Sequence, residues 1–446
     1  MGVLGVRRVA LAVALLSVAT GIAAAAADTP VPREEPDPGF VLVSENARGK
    51  VADEDSVTPV TSQNGRLVAF TSYALNLDPR VRAGRNKQIY LWDARTGRLR
   101  LALRRANLAT LDDAEVPALS PNGRFLAFCS RDPTLVRPDS RASDDLPWAD
   151  QDVFVADLRA GAIRRASSDR RGKEADGYSC SPQVADTGDV VFSSFATDLV
   201  RGDDNEAADT FLWDWSSGRL RRLTRFDAGN YAYDISADGS TVALVTTEQL
   251  VGRDTNATGD LYAYERRGSL GGAWALALTR PDGSTPLTGV PYGGISLSRT
   301  GRFVTAQSAD GGVATPAVED KTLHLWLRDR RTGRTTLLNR TTSEFSEVAE
   351  VHVSGNGRAV TYLGSGTHDY GGVRPEGTST VELFVWRRGG GVASLTPGPD
   401  VWASPTGSDL SGDGDWAVFT MVRDDVPGLN PLYEPARVVV YRTRVR

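Results

Sequence analysis

Seven times along the chain a polar residue followed by glycine introduces a short apolar run, and this recurrence restricts the possible folds more than any other feature. The pairs are Asn64-Gly65, Asn122-Gly123, Thr187-Gly188, Asp238-Gly239, Thr300-Gly301, Asn356-Gly357 and Asp413-Gly414, with successive glycines between 51 and 65 residues apart. A recurring interval of this kind marks a repeat architecture, in which each unit buries its apolar face against its neighbours. The fullest copy is Ser120-Pro121-Asn122-Gly123-Arg124-Phe125-Leu126-Ala127-Phe128. Asn or Asp before Gly tolerates the positive φ of a two-residue hairpin loop, so each copy predicts a hairpin.

Each unit follows one plan. Strand A leads into the turn and strand B follows it, at 67–71, 125–130, 190–194, 241–246, 303–307, 359–363 and 416–421. A long polar loop then leads to an aromatic-rich strand C, at 89–92, 153–155, 211–213, 261–264, 323–326 and 383–386. Four units turn through Gly97, Gly161, Gly218 or Gly333 into a strand D. Short strands at regular spacing, with turn signals between them, predict all-β structure.

The seventh unit reaches strand C at 438–441 and has no strand D after it. At the other end, Phe40 to Glu45 is a strand with no mate nearby, and Val43 to Lys50 resembles Ala166 to Lys173, which ends a hairpin. Pairing 40–45 with 438–441 would close a ring and bury two open edges. The expected fold is therefore a seven-bladed β-propeller of four-stranded antiparallel blades spanning 40–446. A linear array would leave apolar blade faces uncovered at both ends.

Residues 1–27 read as a signal peptide, with Arg7 and Arg8 ahead of an apolar core from Val9 to Ala19 and a small-residue zone from Ala23 to Ala27. That core is too short to favour a membrane span. Export by the general or the twin-arginine route remains open. Residues 28–39, rich in Pro, Asp and Glu, form a flexible spacer. Formal net charge is −5, and only four of the 51 basic residues are Lys. No basic footprint for nucleic acid is present. The expectation is an exported monomer, extracellular or at the cell envelope, with no transmembrane segment once the leader is removed.

The Ser-Pro-Asn-Gly-Arg-Phe-Leu-Ala-Phe unit at 120–128 and the Ser-Ala-Asp-Gly-Ser-Thr-Val-Ala-Leu unit at 236–244 resemble the WD40-like (PD40) repeat of TolB-type propellers. The resemblance covers about 40–446 and implies a scaffold that binds a partner, without implying TolB's own partners. Trp92-Asp93 and Trp213-Asp214 are similar to the dipeptide of WD40 proteins, but the units are longer and no Gly-His pair precedes them.

Strand direction alternates within a blade, so the short A–B and C–D turns share one face and the long B–C and D–A loops share the other. Long loops on a rigid scaffold are where binding usually resides. Trp148, Tyr370, Trp402 and Tyr433 lie in or beside those loops and are the candidate contacts, together with His368 next to Asp369. The expected ligand is an envelope or extracellular protein, peptide or glycan, bound without catalysis. The alternative is a propeller lyase or hydrolase acting on polysaccharide, which the chain's three histidines do little to support. His324 reads as a packed substitute for the aromatics Tyr90, Phe211, Tyr262 and Phe384, and His352 as structural.

Two loops match each other in an Asp-x-Asn-x-x-x-Asp pattern just before strand C: Asp203, Asn205 and Asp209, and Asp254, Asn256 and Asp260. Oxygen ligands at this spacing can begin a Ca²⁺ loop. They can equally satisfy backbone N–H groups in tight turns. No other cofactor is indicated. Cys129 and Cys180, the only cysteines, fit either an inter-blade disulfide in an oxidising compartment or two buried thiols.

Overall fold

Each polar-Gly pair joins the first two strands of an antiparallel sheet. The computed structural model describes residues 39–79, 81, 87–103, 113–132, 135–136, 151–225, 233–290, 294–318, 323–339, 348–365, 381–395, 407–423 and 437–445. Within the compact unit Asp37–Arg446 these residues form seven sheets, each keeping the order A-B-C-D. Six sheets have four strands. In blade five the described part of strand A makes a bridge between Leu297 and Val304 beside the three strands Phe303–Ser308, His324–Asp329 and Arg334–Leu337. The molecule is a seven-bladed β-propeller, as the repeat predicts. The leader lies outside the described residues.

Ring closure follows the sequence expectation with shifted bounds. The N-terminal strand is Phe40–Leu42 and the C-terminal strand is Arg437–Arg444. They pair antiparallel, Phe40 with Thr443 and Leu42 with Tyr441, so blade seven takes its strand D from the other end of the chain. Beyond Leu42 the pairing continues through the Val43 amide, which donates to the Val440 carbonyl at 2.8 Å. The two matching segments fold alike: Asn46 and Asp169 each donate their backbone N–H to the carbonyl four residues on, and Gly49 and Gly172 have φ of 72° and 76°.

The turns differ from the two-residue loop that the Asn-Gly pairs suggest. Of each pair, only the glycine has positive φ, between 63° and 86°. In blade two the Ser120 amide donates to the Phe125 carbonyl, and the Gly123 amide donates to the Ser120 carbonyl. The loop is therefore a four-residue one, with glycine alone in the left-handed region. Ser120 Oγ accepts from the Phe125 amide at 2.9 Å and donates to Asn122 Oδ1 at 2.8 Å. The side chain of Arg124 then reaches Asp157 at the end of strand C, at 2.6 Å. Ser120 thus holds its own turn and Arg124 its own blade, while the Asn122 side-chain amide also donates to the Asp186 carbonyl of blade three at 2.9 Å.

The seven A–B turns also join into a closed circle. The Gln63 amide donates to the Pro121 carbonyl, Asp186 to Ala237, Asp238 to Arg299, Arg299 to Gly355, Gly355 to Gly412 and Asp413 back to Gln63, at 2.6–3.1 Å. The remaining link, between blades two and three, runs through the Asp186 side chain, which accepts from the Asn122 amide at 2.6 Å. Arg299 of blade five also reaches across to Gln63 of blade one and Asp186 of blade three. That end of the ring is sewn together by backbone.

Candidate functional site

Strand A is innermost, since the A strands of most adjacent blades touch. Its course is bent at one repeated position. Thr58, Val116, Ser181, Gly294 and Glu350, each seven residues before its turn glycine, have φ of 47–70°. In blades one, two, three and six the A–B register breaks there, as at a β-bulge. β-Branched residues such as Thr58 and Val116 strain in this region, so the packing around them must impose it. A bulge re-aims the residues that follow, and two positions on, five before the turn glycine, stand Val60, Ala118, Gln183, Ser296 and His352, with Asp234 and Asp409 at the same distance from the turn glycines of blades four and seven.

Several of these side chains stitch the inner wall from blade to blade. Asp234 Oδ2 accepts from the Leu297 amide of blade five at 2.6 Å, and Ser296 Oγ from the Val353 amide of blade six at 3.1 Å. Asp409 Oδ2 accepts from the Thr61 amide of blade one at 2.7 Å. Between blades six and seven the link is ionic. His352 Nδ1 lies 3.2 Å from Asp409 Oδ1, and its Nε2 lies 3.8 Å from Glu350 Oε2. The inner wall therefore carries an imidazole held between two carboxylates, with Asp234 near enough to act on it electrostatically.

Burial pushes the Asp234 carboxyl up to about 7, against the two backbone donors and His352, which lower it. Burial also raises Asp409, and the His352 charge offsets part of that. For His352 burial alone would lower the pKa, but Asp409, Glu350 and Asp234 outweigh it and raise it above 6.5. A group whose folded pKa is raised contributes stability at low pH and loses it as pH climbs through the folded value. For Asp234 that loss runs from 3.8 to about 7, and for His352 it begins at 6.5. Urea midpoints should therefore fall from about pH 5 to about pH 8, and Asp234→Asn should flatten the fall. An identical slope in the variant would remove Asp234 as its source.

Trp148, Tyr370, Trp402, Tyr433 and His368 lie outside the described residues. His324 does not take an aromatic position: strand register puts Trp326 opposite Ala306, where Tyr90 and Phe154 oppose Phe70 and Phe128. His324 instead pairs with Ser308, at the first C-strand position held by Gln88, Asp152, Asp209 and Asp260. The two-residue shift follows from Leu323, which continues the apolar run without joining the strand. His352 belongs to the ionic cluster of the inner wall, a role its isolated place in an apolar strand conceals. Cys129 and Cys180 form a disulfide between blades two and three.

The two acidic loops differ in their surroundings. In blade three Arg222 lies between the carboxylates, its guanidinium 3.2 Å from Asp203 and 2.6 Å from Asp209. Burial raises both carboxyls, and Arg222 offsets part of each rise. In blade four burial and the neighbouring Asp254 charge push Asp260 up to about 6, with the Asn256 side chain drawing it partly back. Asn256 accepts from the Thr258 amide at 3.0 Å and its own amide donates to Asp254 at 3.2 Å, both turn contacts.

No family model and no curated protein matches the chain. Among solved structures, an oligogalacturonate lyase from Vibrio parahaemolyticus aligns over 91% of this chain and 97% of its own length, at 10% identity and a TM-score of 0.54. The acylaminoacyl peptidase of Pyrococcus horikoshii aligns over 88% of this chain at 13% identity and a TM-score of 0.50. TolB from Acinetobacter baumannii aligns over 64% at 16% identity, with a TM-score of 0.36 that carries no argument. The chain spans about half the length of the peptidase and of TolB, 52% and 54%. At such identities the lyase and the peptidase are similar to this chain in fold alone.

Proposed function

We propose that the protein is an exported, non-catalytic propeller of the TolB-type, WD40-like kind that binds a protein, peptide or glycan at the cell envelope. The observation that carries this reading is the closed circle of A–B turns, which commits one face to the scaffold. Ligand then meets the opposite face, where the B–C and D–A loops emerge, or the inner wall beyond them. The wall's acceptors and the His352 cluster suit a ligand rich in hydrogen-bond donors or bearing an amine. In sequence, the loops of that face carry Trp148, Tyr370, Trp402 and Tyr433, which suit contact with sugar or peptide.

A second reading, a polysaccharide-acting lyase or hydrolase, is favoured by one observation. An imidazole between two carboxylates, beside an Asp raised to about 7, can exchange protons near neutral pH. Glycan and peptide arrays probed with the mature protein, followed by product analysis on every ligand retained, separate the two. Saturable binding without turnover, weakened by His352→Ala, is the expected result. Turnover that His352→Ala and Asp409→Asn both abolish would establish the enzyme instead. No retained ligand on either array would overturn the binding reading.

A further inference from the structure

In blades one, two, three and five the first position of strand C and the D-strand residue opposite the next aromatic vary together. Blade one pairs Gln88 with Leu101, and blade five pairs His324 with Leu337. Where the C position is acidic, blades two and three supply an arginine. Arg165 Nε lies 3.0 Å from Asp152, and Arg222 lies 2.6 Å from Asp209. Blades four and six depart from this: blade six has Glu382 with Ser394 opposite Phe384, and in blade four Asp260 is acidic but Leu276 occupies the arginine's register position opposite Tyr262. Asp260 is 0% exposed, and neither carboxylate oxygen meets the geometry of a hydrogen bond with any described residue. Asp254, 5% exposed, adds a second carboxylate, whose oxygens accept from the Asn256 amide at 3.2 Å and from the Tyr262 hydroxyl, and the buried Thr258 Oγ1 has no hydrogen-bond partner among the described residues. A buried carboxylate normally has a partner or a metal. Among the described residues, two acids meet here with no cation paired to them.

We infer that blade four holds a divalent cation between Asp254 and Asp260, with Asn256 beside them, in the place that the Arg222 guanidinium fills in blade three. No three His, Cys, Asp or Glu side chains among the described residues are arranged to hold a metal. The donors are carboxylate, amide and hydroxyl oxygens, which suit Ca²⁺ rather than zinc. Blade three needs no metal, because its carboxylates are already neutralised. The bound ion would tie the B–C loop of blade four to the start of its strand C, on the face opposite the turn circle. This inference stands apart from the identity of the protein's ligand.

Full-length mature protein, stripped with EDTA and dialysed against CaCl₂, should bind one Ca²⁺ per chain and unfold at a higher temperature than in EDTA. Asp260→Asn should weaken binding at least about 100-fold, since even groups that only support a metal ligand cost 10–100-fold. Asp209→Asn, the matching change in blade three, should leave binding intact. The sharpest variant is Leu276→Arg, which installs the blade-three arrangement. It should abolish Ca²⁺ binding and leave a melting temperature that EDTA no longer lowers. Circular dichroism on each variant establishes that it is folded. Wild-type protein that binds none of Ca²⁺, Mg²⁺ or Mn²⁺ would overturn the inference, as would undiminished binding by folded Asp260→Asn.

Discussion

Gly357→Ala should cost about 2–4 kcal/mol of folding stability, and Gly97→Ala only about 1 kcal/mol. Both glycines have positive φ, 66° and 63°, so both replacements carry the same left-handed penalty. They differ in what a Cβ would meet. At Gly97 nothing lies within 4 Å, whereas at Gly357 the new carbon would sit 2.3 Å from Phe303 Cδ2. Phe303 opens strand B of the preceding blade, and the guanidinium groups of Arg302 and Arg388 lie 4.8 and 4.9 Å from the centre of its ring. It cannot swing aside without giving up those contacts. The same collision recurs at Gly65 with Trp416, Gly123 with Leu67 and Gly301 with Thr241. The turn glycine is therefore an inter-blade contact as well as a hinge. Urea denaturation followed by tryptophan fluorescence and circular dichroism measures both variants, provided the two probes coincide. Equal losses at the two sites would mean that φ alone explains the repeat.

How much of this was readable beforehand depends on the range of the interaction. The blade count, the strand order and the closure by Phe40–Leu42 follow from local turn chemistry repeated at an interval, and local chemistry is written in adjacent residues. The turn circle was not readable, because it joins backbone amides that carry no residue signature, as between Gly355 and Gly412. Arg299 illustrates the same point, reaching Gln63 from 236 positions away. The matched acidic loops were visible as a pattern. What distinguishes them is Arg222 in one blade and Leu276 in the other, residues more than a dozen positions downstream, whose pairing needs strand register. His352 reads from sequence only as structural, and its ionic partner stays hidden for the same reason, since Asp409 lies in the next blade.

Removing the Cys129–Cys180 disulfide should lower stability by about 4 kcal/mol. The two cysteines are 51 residues apart in sequence, and the chain-entropy model assigns a loop of that length about 4 kcal/mol of denatured-state constraint. Their Cα atoms are 5.4 Å apart, within the range that disulfides span without backbone movement. Both side chains are buried, Cys129 in strand B of blade two and Cys180 beside the bulge in strand A of blade three. The native ring should survive the loss, because blade seven closes elsewhere and the turn circle still links blades two and three through Asp186. The cost should therefore appear as a lower urea midpoint in Cys129→Ala/Cys180→Ala, with native circular dichroism before the transition. Reduction of the wild type under denaturing conditions, followed by refolding with thiols blocked, should give the same midpoint. An unchanged midpoint in both experiments would show that the constraint lies in the inter-blade packing, and that the bridge adds nothing to it.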